Sequence, residues 1–249
     1  MTDVGRHPLI ELLTYSEVKN VRGYVGNFTA TILRKARFVD EKECTACGDC
    51  AEVCPVIRPD EFELGLATRR AIYSPFPQAI PPAYVLDINA CLGNMPLACE
   101  KCYRACEKQC IDYDMTDKEI EVEIGTIVVT TGMKVFDPTV LTEYGYTRYP
   151  NVITSMEFER LINAGGPTEG ELLRLDNNQR PRRIAFLQCI GSRSQHKGEP
   201  YCSNVCCMNT VKDTILIKEH WPDIDVSVYF IDIRAFGKGF EDLYMRSRS

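Results

Sequence analysis

The sequence predicts an α/β chain interrupted by a small, cysteine-rich α+β unit, and three observations carry that reading. Nine of the 13 cysteines crowd into residues 44–110, in two runs. On either side, Glu17–Leu33 is rich in β-formers and Lys118–Ile124 alternates polar with apolar residues, the period of a half-buried strand. Farther on, residues 183–233 read as strand, loop, helix and strand, a βαβ unit with parallel strands and a right-handed crossover. The chain thus divides into a β-rich stretch at 1–37, the cysteine-rich insert at 38–115 and the remainder at 116–249.

Composition bounds the function. At 249 residues, 45% hydrophobic and 26% charged, the chain suits a globular protein with a sizeable core. Its net charge is −6 and it has no basic block, which argues against nucleic acid as a partner. No apolar run approaches the roughly 20 residues of a membrane span. Thirteen cysteines without a secretory signal point to a reducing compartment, the cytoplasm, and to metal.

Taken in order, Leu9–Leu13 reads as a short buried strand. Glu17–Val25 and Asn27–Leu33 form a hairpin turning at Gly26-Asn27. His7 has no partner nearby in sequence and reads as a surface residue, and Arg34-Lys35-Ala36-Arg37 as a solvated strand edge.

The insert opens with Cys44-Thr-Ala-Cys47-Gly-Asp-Cys50-Ala-Glu-Val-Cys54-Pro55. Three cysteines at every third position and a fourth followed by proline make the bacterial ferredoxin run, whose fourth thiolate ligates the other cluster. A tight loop helped by Gly48 aims Cys44, Cys47 and Cys50 at one centre, while Pro55 turns the chain away after Cys54. The second run is Cys91, Cys99, Cys102 and Cys106. We therefore assign Cys44, Cys47, Cys50 and Cys106 to one 4Fe-4S cluster, and Cys54, Cys91, Cys99 and Cys102 to another. The second run departs from the pattern. Seven residues separate Cys91 from Cys99, Glu107 stands in place of proline, and Cys110 is a fifth thiol able to compete. Disulfides and structural zinc are the rival readings. No secretory signal favours the first, and evenly spaced triples ending in Cys-Pro are not zinc knuckles. Between the runs, Glu61–Asn89 carries Pro75, Pro77, Pro81 and Pro82 and reads as an irregular surface excursion. Ile111–Asp114 is expected to close the unit as a short strand, with Tyr113 as packing.

Beyond the insert, Lys118–Ile124 is a half-buried strand. The continuous apolar run Gly125–Gly132 reads as a buried strand of a parallel sheet, with Gly132 allowing close approach of a cofactor or a backbone. Met156–Asn163 is a helix capped by Thr154 or Ser155 and stopped by Gly165-Gly166. Asp176–Pro181 is a turn. The βαβ unit has strands at Arg183–Ile190 and Val226–Ile233 and a helix at Asn204–His220, which His220 and Trp221 end. The chain closes on Gly239–Ser249, a helix of about two turns.

A third cysteine set lies in the βαβ loop: Cys189, Cys202, Cys206 and Cys207. Cys202 and Cys206, four apart, would stack on one face of the first helical turn. A helix amino end suits an anionic cluster. Metal binding and burial as small hydrophobes are both open readings of these four. His196, in the same loop, is a weaker ligand candidate. Gly191–Gly198 does not match the dinucleotide G-x-G-x-x-G pattern.

These segments together resemble the A subunit of heterodisulfide reductase, an iron–sulfur flavoprotein family of methanogens and other anaerobes. The resemblance rests on Asp3–Pro8, Gly23–Phe28, both cysteine runs, Arg148–Ser155, Gln188–Arg193, Tyr201–Met208 and Tyr229–Gly239. It implies an incomplete thioredoxin-reductase-like core of FAD/NAD(P) type with an inserted two-cluster ferredoxin domain. It also implies a third 4Fe-4S cluster at Cys189, Cys202, Cys206 and Cys207, and a flavin contact at Thr130-Thr-Gly132. The family's amino-terminal glycine-rich FAD grip and its carboxyl-terminal remainder have no counterpart here, so the chain resembles a middle piece, and FAD is expected only with the flanking region supplied. The function implied is electron relay between a flavin and partner redox subunits of heterodisulfide-reductase, hydrogenase or ferredoxin type. The alternatives are a stand-alone polyferredoxin-type carrier without flavin and a zinc-stabilised interaction module. No side-chain nucleophile or acid–base dyad stands out, so catalysis by side chains is not expected.

Overall fold

The structure is a computed structural model that describes residues 2–93 and 99–248. Two compact units make it up, Met1–Thr131 and Gly132–Ser249.

The first unit begins with α1 (Thr2–Arg6), a short helix that the sequence does not signal, and continues into β1 (Ser16–Tyr24) and β2 (Asn27–Arg34). The cysteine-rich segment follows, with α2 (Asp49–Glu52), β3 (Arg58–Pro59), β4 (Thr68–Arg69), β5 (Ile72–Tyr73), β6 (Val85–Leu86) and α3 (Lys101–Ala105). It returns into β7 (Lys118–Ile124). β2 is the central strand of an antiparallel sheet ordered β1-β2-β7, paired in register from Phe28–Ile124 to Arg34–Lys118. The whole cysteine-rich segment therefore leaves one strand and re-enters on its neighbour. Tyr24 pairs with Asn27, so the hairpin turns on Val25-Gly26, with Gly26 at φ 90°, a conformation glycine adopts without strain.

Three expectations for this unit are corrected. Leu9–Leu13 is not a buried strand: Leu9 is 88% exposed and the segment has no strand partner among the described residues. A run of five apolar or acidic residues is too short to fix a strand without a neighbour to pair with. Glu61–Asn89 is not a surface excursion. β3 pairs with β4 and β5 with β6, Val85 is buried, and Ala71, Ile72 and Leu86 are buried beside Cys50, Cys54, Cys102 and Ile111. Arg69 fastens this segment, its guanidinium bonded to Glu61 and Asp87 and stacked 3.9 Å over Tyr73. Gly125–Gly132 forms no strand: Val128 is 80% exposed and Val129 74%. A fully apolar strand needs a partner on each edge and a layer on each face, and the described residues supply neither.

Arg34 pairs with Glu41 and Lys35 with Glu17, as a solvated edge would. Arg37 instead is buried, donating to the Ala83 carbonyl and to Thr14 Oγ1. The closing strand reduces to one bridge, Val39 with Ile111.

The second unit opens with two 3-10 turns, Pro138–Val140 and Thr142–Tyr144, then α4 (Ser155–Leu161). Thr154 caps α4 in a capping box, its side chain accepting from the Glu157 N–H while Glu157 accepts from the Thr154 N–H. β8 (Arg183–Leu187), α5 (Cys206–His220) and β9 (Asp225–Tyr229) form the expected βαβ unit, with β8 and β9 parallel and in register. α6 (Phe240–Ser247) closes the unit, packing Leu243 and Tyr244 against Cys207, Met208 and Val211 of α5.

Candidate metal centres

Both ferredoxin-type runs build the same local device. Cys47-Gly48-Asp49-Cys50 and Cys99-Glu100-Lys101-Cys102 each put a left-handed residue at the cap of a short helix: Gly48 at φ 100° ahead of α2, and Glu100 at φ 49° ahead of α3. The kink turns the second cysteine of each pair inward. Cys50 and Cys102 are accordingly buried, and so is Cys54 just past α2.

The cysteines sort into two groups. Cys44, Cys47, Cys50 and Cys106 line one cavity of ≈ 80 Å³, together with Cys110 and Tyr84. Cys54, Cys91, Cys99 and Cys102 line a second, tighter one of ≈ 10 Å³, walled by Leu86, Leu92 and Tyr113. Each group draws from both runs, so each needs the chain crossing that the spacing implies. Among the described residues no three His, Cys, Asp or Glu side chains converge closely enough to hold a single metal ion.

Burial pushes the Cys50 thiol up to about 12, and the groups facing it are further thiols, Cys44, Cys102 and Cys47. Burial likewise raises Cys91 and Cys102. Such thiols ionise only beside added positive charge, such as a bound metal would supply. Cys50 and Cys102 belong to the same buried cluster, so the two groups are neighbours.

Hydrogen bonds to sulfur differ between the groups. In the second, the Tyr113 hydroxyl lies 3.2 Å from Cys102 Sγ, and the Gly93 N–H donates to Cys91 Sγ at 3.4 Å. In the first, Cys106 Sγ and Cys110 Sγ lie 3.4 Å apart. Tyr113 thus contacts a cysteine of the second group, where the sequence suggests only packing. Nothing in its spacing announces the contact.

The third set is gathered in part. Cys189 follows β8 by two residues in a left-handed conformation, φ 62°. Cys207 is buried, faces Cys206 and Cys189, and points its thiol toward the Asp232 carbonyl at 3.8 Å. Burial, ahead of its contacts, raises the Cys207 thiol. Cys202 does not stack over Cys206 on a helix, because α5 starts at Cys206; it stands in the preceding loop, where its Sγ accepts the Asn204 N–H at 3.4 Å. The amino end of α5 has no side-chain cap at Val205, which leaves its first N–H groups available to an anion. Arg193, paired with Asp232, adds a cation beside Cys189.

Gly132 has the conformational freedom expected of it, at φ 72°, but a Cβ built there meets nothing within 4 Å. No helix in the described residues is long and apolar enough to cross a membrane.

Comparison with known proteins adds the following. Residues 37–56 match the family described as 4Fe-4S binding domain. Over its full length the chain is 49% identical to the A subunit of the H(2):CoB-CoM heterodisulfide,ferredoxin reductase of Methanothermobacter marburgensis. It is 50% identical to an iron-sulfur A subunit of the CoB--CoM heterodisulfide reductase of Methanopyrus kandleri. To the A subunit of the ferredoxin/F(420)H(2)-dependent CoB-CoM heterodisulfide reductase of Methanosarcina acetivorans it is 43% identical. The chain spans 37% of the length of the first two relatives and 31% of the third.

Proposed function

This chain belongs to the family of heterodisulfide reductase A subunits, of whose curated members it spans 37% or less, and on that premise we propose that it is the iron–sulfur segment of an electron-transferring oxidoreductase subunit. The observation that carries the reading is the partition of eight cysteines from two distant runs into two neighbouring groups of four. Cys44, Cys47, Cys50 and Cys106 hold one 4Fe-4S cluster, and Cys54, Cys91, Cys99 and Cys102 the other. Such clusters, when bound, pass single electrons at potentials that burial and hydrogen bonds to sulfur adjust. The protein's own part is to place the thiols, exclude water with Ile72, Leu86 and Ile111, and donate hydrogen bonds to the ligand sulfurs.

Cys189, Cys206 and Cys207, with Cys202 brought in from its loop, hold a third cluster at the amino end of α5. The second unit and the β1-β2-β7 sheet belong to a thioredoxin-reductase-like core that takes FAD, with Gly132 against it, once the flanking region is present. The partners are other redox subunits of heterodisulfide-reductase, hydrogenase or ferredoxin type. One observation favours a second reading for the chain by itself: the exposed run Ile127–Val129 leaves the flavin core open, as a stand-alone electron carrier would tolerate.

Iron, sulfide and flavin content of anaerobically purified protein, with and without the flanking polypeptide, tests this. The proposal expects about twelve irons, four per cluster, and yellow flavin only when the flanking region is supplied. About eight irons and no flavin in either preparation would favour the stand-alone carrier. Colourless protein with stoichiometric zinc would sink both.

A further inference from the structure

The first site offers five thiols for four places. Cys110 is 7% exposed and lines the same cavity as Cys44, Cys47, Cys50 and Cys106. The chain brings it there by a tight turn: the Gln109 N–H donates to the Cys106 carbonyl at 3.0 Å, and Gln109 itself is left-handed at φ 49°. The result is that Cys106 Sγ and Cys110 Sγ sit 3.4 Å apart at the same wall of the cavity. Cys44 faces Cys110 from the other run. On its backbone side Cys110 is fixed too, its carbonyl accepting the Asp40 N–H at 2.7 Å beside the Val39–Ile111 bridge.

A thiol buried only as a small hydrophobe would point into the apolar core. Cys110 packs in the apolar core with Val39 and Ile111 and, in addition, shares a cavity wall with four other thiols. One corner of a cubane takes one thiolate, so two sulfurs at this separation contend for the same corner. We propose that Cys106 and Cys110 share the fourth ligand place of the first site. Whichever holds iron does so as the thiolate, and the other keeps its proton and donates S–H to it. Exchanging the two breaks one iron–sulfur bond, forms the other, and moves one proton across the contact between them, so the charge of the site is unchanged. The second site has no such surplus: its cavity is lined by Cys54, Cys91, Cys99 and Cys102 alone among cysteines. The inference rests on the cluster assignment above and goes beyond it.

The test uses the full chain, prepared anaerobically, as wild type, Cys106→Ala, Cys110→Ala, the double variant and Cys44→Ala. Iron is counted, and the dithionite-reduced protein is examined by electron paramagnetic resonance. The proposal expects both single variants to keep the wild-type iron count, with reduced-cluster spectra that differ from each other. The double variant and Cys44→Ala should each lose about four irons and keep the rest, which also shows that the unit still folds. If Cys106→Ala alone drops to the level of Cys44→Ala, or Cys110→Ala alone does, one thiol is the sole ligand and sharing is overturned. A double variant that keeps all its iron overturns it as well. Wild-type protein without iron would instead defeat the cluster assignment, a result distinct from these.

Discussion

A sulfur that ligates a cluster responds to each hydrogen bond it accepts, and Tyr113 is placed to make one. Reduction adds negative charge to the cluster and its ligand sulfurs, so a donor on Cys102 Sγ stabilises the reduced form more than the oxidised one. Removing the hydroxyl with Tyr113→Phe leaves the ring in its cavity wall and takes away only that donor. A hydrogen bond worth about 0.5–1.5 kcal/mol corresponds, at about 59 mV per tenfold for one electron, to a fall of roughly 20–65 mV in the midpoint potential of the second site. A redox titration with the iron count held equal checks this; an unchanged potential would remove Tyr113 from the redox apparatus. The grouping of these thiols around two cavities is legible in the sequence because it follows the spacing of the ferredoxin-type runs. Tyr113 is not, because its contact depends on the bridge of Ile111 with Val39, a pairing across more than seventy residues.

Among the elements, those whose signal is local are legible: the β1–β2 hairpin from its turn glycine, β7 from its alternation, α4 from its candidate caps Thr154 and Ser155 and its glycine stop, and the βαβ unit from its order. Those that are not depend on neighbours. The Glu61–Asn89 segment looks irregular because its strands are two residues each, too short for any periodicity, yet tertiary packing buries them. α5 illustrates what packing does to charge. Asp213 is fully buried on it, with Asn209 Nδ2 donating to one oxygen at 3.0 Å and Lys212 Nζ lying 2.9 Å from the other, badly angled for a hydrogen bond. Burial raises this carboxyl to about 7, with Lys212 pulling it back down and Glu159, itself paired with Lys212, pushing it up. Its folded value lies above the unfolded one, so the folded state holds the proton longer. Stability from this group is therefore present at low pH and lost as pH rises from about 4 through 7, by at most about 1.4 kcal/mol per pH unit. Asp213→Asn should flatten that slope. Thermal unfolding of wild type and variant between about pH 5 and 8 measures it, and parallel curves would contradict the assignment.

At the scale of the whole molecule, the chain is two compact units joined through a stretch that belongs to neither core. All eight thiols of the two ferredoxin-type sites lie in the first unit and the third set lies in the second. Between them, residues 125–135 carry no helix or strand and are exposed throughout, Ile127, Val128 and Val129 among them. A continuous apolar run normally signals a buried strand, but sequence records only the demand for neighbours and not whether the chain provides them. Backbone that is extended, exposed and unpaired is what a protease binds, whereas the Glu61–Asn89 segment, though rich in proline, is held by Arg69 and by its buried apolar residues. Brief anaerobic treatment with thermolysin, which cuts beside aliphatic residues, should therefore cleave first at Ile127–Val129. The amino-terminal product should keep about eight irons, because every thiol proposed to hold its two clusters lies ahead of the cut, while any iron of the third set should follow the carboxyl-terminal product. First cleavage within residues 61–89, or an amino-terminal product that sheds its iron, would mean that the first unit does not hold its clusters by itself.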